Sequence, residues 1–120
     1  MTEFINENEA DFPIWDKESF IKRLMGDEAL ADKLLNRYLS IINEELDSLT
    51  QAISESNSHD ALHIAHKIHG SSNSVGATRI GYTASLIEAM SKVDDLSSTP
   101  TLLQKMTHEV AEFKNYIDAI

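Results

Sequence analysis

Apolar residues return every three or four positions from Phe20 to Ile117, and no stretch alternates apolar with polar. A three-to-four period gathers apolar side chains on one face of an α-helix, whereas a half-buried strand needs a period of two. The chain is therefore confined to an all-α fold. With 4 glycines and 2 prolines in 120 residues, it also has too few turn formers for a strand-rich architecture.

Start and stop signals divide the pattern into five helices. Asp16 is placed to cap a short helix over 17–25, with Phe20, Leu24, Ile21 and Met25 on and beside its apolar face and Gly26 as the break. Asp27 caps a long second helix over 28–55. Its stripe runs through Leu30, Leu34, Tyr38 and Ile41 and widens to Leu35, Ile42, Leu46, Leu49 and Ile53. A third helix spans 59–74 and closes at Gly76. Thr78 is positioned to cap a fourth over 79–93, and Thr99-Pro100 reads as a hydroxyl cap followed by proline at the first helical position. In the fifth helix Leu103, Met106, Val110, Phe113 and Ile117 form a heptad-like seam. Short links between the later helices make neighbours antiparallel. The expected fold is an antiparallel up-down four-helix bundle with a short additional N-terminal helix. Residues 1–11 carry little periodicity and are expected to be an acidic tail or linker, leaving 12–120 as one domain. Trp15 is expected to cap one end of the core.

Twenty acidic against 10 basic residues disfavour nucleic acid or an anionic membrane surface as partner, since both repel a negative protein. No apolar run reaches the roughly 20 residues of a membrane span, and the acidic N-terminus is unlike a secretory signal, so a cytoplasmic location is expected. The absence of cysteine excludes disulfides and thiolate metal sites.

Chemistry concentrates in one stretch, from Ala65 to Gly76. At roughly 100° per residue, His66 lies almost opposite the stripe formed by Ala61, Ile64, Ile68 and Val75. His59 and His63 lie within about 60° of it on the same face. Gly70 stands directly above, one turn on. Glycine costs a helix about 1 kcal/mol relative to alanine, and here it removes a side chain where a partner approaching the imidazole would collide. Lys67 flanks His66 on one side, His69 and Leu62 on the other. Ser71, Asn73 and Ser74 add polar groups able to pair with an anion without quenching a nucleophile. A solvent-facing imidazole keeps a neutral fraction near neutrality, the state that can attack phosphorus.

His66-Lys67-Ile68-His69-Gly70, then four residues, Val75 and Gly76, resembles the signature of the histidine-containing phosphotransfer (HPt) domain. Ala65, Trp15-Asp16, Leu24 with Gly26-Asp27, and Ala84, Leu86 and Glu88 fit the same pattern, which covers about residues 14–118. The family usually has lysine where this chain has His69; spacing to Gly70 and Gly76 assigns the phosphorylated position to His66. The resemblance implies a phosphorelay carrier that takes a phosphoryl group from the aspartate of a receiver (response regulator) domain and passes it to another. It implies no ATP site of its own and no cofactor beyond the Mg²⁺ held by the receiver. His63, Lys67, His69, Gly70, Leu62, Ser71 and Asn73 would condition the phosphoryl group or the docking face. A monomer without direct membrane contact is implied, and the acidic tail fits a linker from an upstream receiver in a hybrid sensor kinase anchored in the inner membrane. Two other readings compete. His59, His63 and His66 have the spacing of a helical metal site, though no acidic ligand is evident nearby and such a site does not require Gly70. A plain helical adaptor would leave the histidines as solvent-facing accidents.

Overall fold

A computed structural model of the chain describes residues 12–120, and the reading of 1–11 as a tail lies outside them. Five helices follow one another: α1 Lys17–Arg23, α2 Glu28–Ser54, α3 Ser58–Val75, α4 Thr78–Lys92 and α5 Thr99–Ala119. The described residues contain no strand. Helices α2 to α5 pack as the antiparallel bundle expected, with α1 laid across one end against α2 and α3.

Three of the helix starts are capped by side chains. The Asp16, Asp27 and Asn57 oxygens each accept a backbone N–H three residues on, from Ser19, Leu30 and Asp60. Two expected caps are not made. Thr78 is the first residue of α4 rather than its cap, and its hydroxyl donates to the Pro13 carbonyl at 3.1 Å. Thr99 is likewise inside α5, behind Ser98, and its buried hydroxyl donates to Leu96 O. In both cases the hydroxyl is already committed to a backbone carbonyl, a distant one for Thr78 and one three residues back for Thr99. Helix α1 stops at Arg23, two residues early. Met25 takes a left-handed φ of 57° and is 94% exposed, so it does not join the apolar face.

The core seam of α2 is rotated by about one residue from the expected one. Ala31, Leu35, Tyr38, Ile42, Leu46, Leu49 and Ile53 are buried, while Leu34 and Ile41 are half-buried and Leu30 is exposed. Leu34 and Ile41 instead line a groove between α1, α2 and α3. Phe20, Ile68, Ile80, Ile87, Met106 and Phe113 fill the interior, and Val93, expected on the apolar side of α4, is exposed. Two polar pairs are buried within this core. The Tyr38 hydroxyl bonds Ser72 Oγ at 2.7 Å, linking α2 to α3, and burial pushes the phenol above its usual range. The Thr83 hydroxyl donates to Glu109 Oε1 at 2.7 Å, linking α4 to α5. Each secures two helices in one register, because a buried polar group left without its partner is costly.

Trp15 closes one end, as expected. It meets Phe113 edge-on, and its indole N–H donates to Val75 O at 2.7 Å. Next to it the Asp16 N–H donates to Gly76 O at 2.8 Å. Gly76 ends α3 with φ 86°, and a Cβ there would sit 2.6 Å from the Asp16 carbonyl oxygen. Gly26 has a similar φ of 82° but nothing within 4 Å of a built Cβ. Gly26→Ala is therefore expected to lose only the backbone strain, about 1 kcal/mol, and Gly76→Ala about 2–4 kcal/mol by urea unfolding. Equal losses would mean that contact with the Asp16 backbone costs nothing.

Candidate functional site

Helices α3 and α4 are joined by Gly76-Ala77 and pack along their lengths. The buried face of α3 (Ala61, Ala65, Ile68, Ser72, Val75) turns the opposite face outward, so His66 is 73% exposed at its side chain. His69, 60° round the helix, is half as exposed and leans over the α3–α4 seam.

The two imidazoles meet one carboxylate. His66 Nδ1–H donates to Glu88 Oε2 at 2.7 Å, and His69 Nδ1–H donates to Glu88 Oε1 at 2.9 Å. Burial is the largest single influence on the Glu88 carboxyl and pushes its pKa up. The two hydrogen bonds, with the positive potential of both rings, outweigh burial and hold it below its ordinary value of 4.5. Glu88 is thus a carboxylate near neutral pH and can only accept. Each ring then carries a proton on Nδ1, and in the neutral ring Nε2 keeps its lone pair.

The other expected site residues divide. Gly70 stands over His66 with nothing within 4 Å of a built Cβ. His63 is exposed on the same face and Leu62 is half-buried beside it. Lys67 reaches away toward α2, where its ammonium lies 3.7 Å from Glu45. Ser71 lines the groove on that side. The carboxamide of Asn73 packs against Gly81 of α4, and its backbone carbonyl, like that of Ser74, accepts from the Arg23 guanidinium at 2.9 Å. Lys67, Ser71 and Asn73 are therefore not gathered around the His66 imidazole. His59 and His63 stack edge to face, 4.6 Å between ring centres, and His66 is turned to Glu88. Among the described residues no group of three or more His, Cys, Asp or Glu is arranged to hold a metal ion, and His59, His63 and His66 do not converge into one. No helix there is long and apolar enough to cross a membrane.

Glu88 is the site residue that sequence reasoning did not single out. A signal was present. It is the one acidic residue of α4, and it follows Ala84 by four and Gly81 by seven, both of them buried. A carboxylate continuing a buried stripe needs a donor, and two wait on the adjacent helix.

Comparison with known proteins identifies the family and the fold. The family described as "Hpt domain" matches residues 33–120. The chain is similar to a "phosphorelay intermediate protein rdeA" of Dictyostelium discoideum, 29% identical over 87 residues. That match covers 72% of this chain and 34% of the relative, so the chain spans about a third of the curated relative's length. The fold is also similar to the crystal structure of histidine-containing phosphotransfer protein B (HptB) from Pseudomonas aeruginosa PAO1. There the TM-score is 0.82 at 22% identity, covering 89% of this chain and 93% of the other.

The lowered Glu88 pKa has a consequence for stability. Around that pKa the unfolded chain binds more protons at this position than the folded one. The contribution is therefore present above about pH 4.5 and is lost as pH falls through the folded value. Glu88→Gln is expected to flatten the stability curve between about pH 3 and 5, measured by urea unfolding. An unchanged slope would detach the carboxylate from the two imidazoles.

Proposed function

The chain belongs to the Hpt domain family, and from that premise we propose that His66 is its phosphoryl carrier, filled and emptied by receiver domains. One observation carries the reading: the most exposed ring of the stretch, His66, has Nδ1 tied to Glu88, so that its nucleophilic nitrogen is Nε2 on the open face under Gly70.

The chemistry follows from that geometry. The Nε2 lone pair attacks the phosphorus of a receiver's aspartyl phosphate. The N–P bond forms as the P–O bond breaks, and the aspartate carboxylate leaves with the electron pair. The ring, still protonated at Nδ1, becomes a cation, and the Glu88 carboxylate lies 2.7 Å from that proton. A fixed negative charge there stabilises the developing positive charge in both directions. On return, the carboxylate of a second receiver attacks phosphorus and the N–P pair goes back to Nε2. No proton need move. The exchange between an acyl phosphate and a phosphoramidate is near balanced, so the carrier supplies position more than acid–base catalysis. Mg²⁺ comes with the receiver's carboxylates.

The receiver would cover His66 and reach the groove of about 470 Å³ between α1, α2 and α3, where Leu24, Leu34 and Ile41 offer apolar surface and Arg23 and Arg37, against the one carboxylate of Glu45, offer positive charge. That local basic rim lets an otherwise strongly acidic chain meet an acidic phosphorylation site. We place the domain in the cytoplasm as a monomeric phosphocarrier without an ATP site of its own.

Incubation with a phosphorylated receiver should give an acid-labile, base-stable phosphate that is lost in His66→Gln. Label retained in that variant would overturn the assignment. Gly70→Ala tests the approach. It should raise stability by about 1 kcal/mol, since the helix gains and nothing is crowded. It should also slow transfer from a receiver at least tenfold, about 1.4 kcal/mol, while leaving labelling by a small phosphodonor unchanged. Equal effects on both donors would show that Gly70 does not serve a docked partner.

A further inference from the structure

We propose that His69 is a positioning residue for His66, acting through Glu88 as a neutral hydrogen-bond donor rather than as a substitute cation. The proposal rests on His66 being the phosphoryl carrier.

Glu88 reaches the site on a side chain with three rotatable bonds. One hydrogen bond from the exposed His66 ring would leave that carboxylate free to turn, and the ring free to flip with it. The second bond removes the freedom. His69 holds Oε1 at 2.9 Å, which aims Oε2 at His66 Nδ1, 2.7 Å away. His69 is the better anchored of the two rings. Its side chain is 36% exposed against 73%, and it sits in a hollow lined also by Phe12, Arg23, Asn73, Tyr82 and Ser85. Order thus runs from the packed ring, through the carboxylate, to the exposed ring that reacts.

The donor pattern favours a hydrogen bond over a charge. One carboxylate has an acceptor oxygen for each ring, and two neutral imidazoles can both donate from Nδ1 with no further proton. A positive charge on His69 would draw Glu88 toward itself and weaken the hold on the cation that forms at His66. Arg23, in the same hollow, also stands against a second permanent cation at this position. A lysine, usual here in the family, would bring charge; His69 brings direction.

Asparagine is the discriminating substitution, because its amide nitrogen lies near the place of imidazole Nδ1 but cannot titrate. Two quantities would be measured on wild type, His69→Ala, His69→Asn and His69→Lys. One is the tautomer of His66, from ¹⁵N NMR at about pH 8, above the ordinary imidazole range. The other is the initial rate of labelling by phosphoramidate, which needs no receiver. His69→Ala is expected to populate the Nε2–H tautomer of His66 and to slow labelling roughly tenfold, as loss of an orienting partner does at other sites. His69→Asn should restore both quantities, and His69→Lys should not. An unchanged tautomer and rate in His69→Ala, or rescue by lysine in place of asparagine, would overturn the positioning role. His66→Gln run alongside separates the two readings. Label surviving there removes His66 as carrier, whereas label confined to His66 with no response at position 69 removes only this inference.

Discussion

A two-residue link governs the molecule. Gly76-Ala77 leaves α3 and α4 no choice but to run back along each other, so a residue some ten places before the link faces one some twelve places after it. His66 and Glu88 stand in that relation. The reactive ring and the carboxylate that orients it are thus brought together by a turn at the far end of the helix pair. The turn depends on Gly76, whose left-handed backbone also lets the Trp15-Asp16 segment press against it. Packing at that corner and chemistry at the histidine are joined by the rigidity of two helices.

The site shows how a surface group can be ordered without being buried. A fully exposed imidazole would sample many orientations, and a buried one would be closed to a partner. Here the ring is left in solvent while its inner nitrogen is tied to a carboxylate at the seam. The exposed Lys67 on the same helix has a weaker tie. Lys67 and Glu45, at 3.7 Å with a largely exposed ammonium, are worth little to stability. The overall negative charge is not uniform: Arg23 and Arg37 line the groove between α1, α2 and α3, and Arg23 also lines the hollow that holds His69.

Much of this was legible in the sequence, and the misses share a cause. Helical periodicity delivered five helices and the outward face of His66, because both depend on spacing along one chain. Gly76 was read correctly as the end of α3, because a glycine just past a helical stripe is a local stop signal. What depends on the partner each side chain finds in the folded chain was misread. Thr78 and Thr99 have the right chemistry for caps, yet Pro13 and Leu96 claim their hydroxyls. Leu30 and Met25 are apolar but face no partner. Lys67 and Asn73 lie close to His66 in sequence but are drawn off by Glu45 and Gly81. Glu88 was noticed only as part of a resemblance, since its role appears when α4 is laid against α3.

Trp15 is the chain's lone tryptophan, and its indole N–H is bonded to the last residue of the histidine helix. The molecule therefore carries its own optical reporter at the end of α3, away from the reactive ring. Indole emission shifts with solvation of that N–H and ring. Fraying of the last turn of α3 would register as a colour change, and docking confined to the His66 face would leave the colour alone. Events at the two ends of one helix can in this way be told apart without attaching a label.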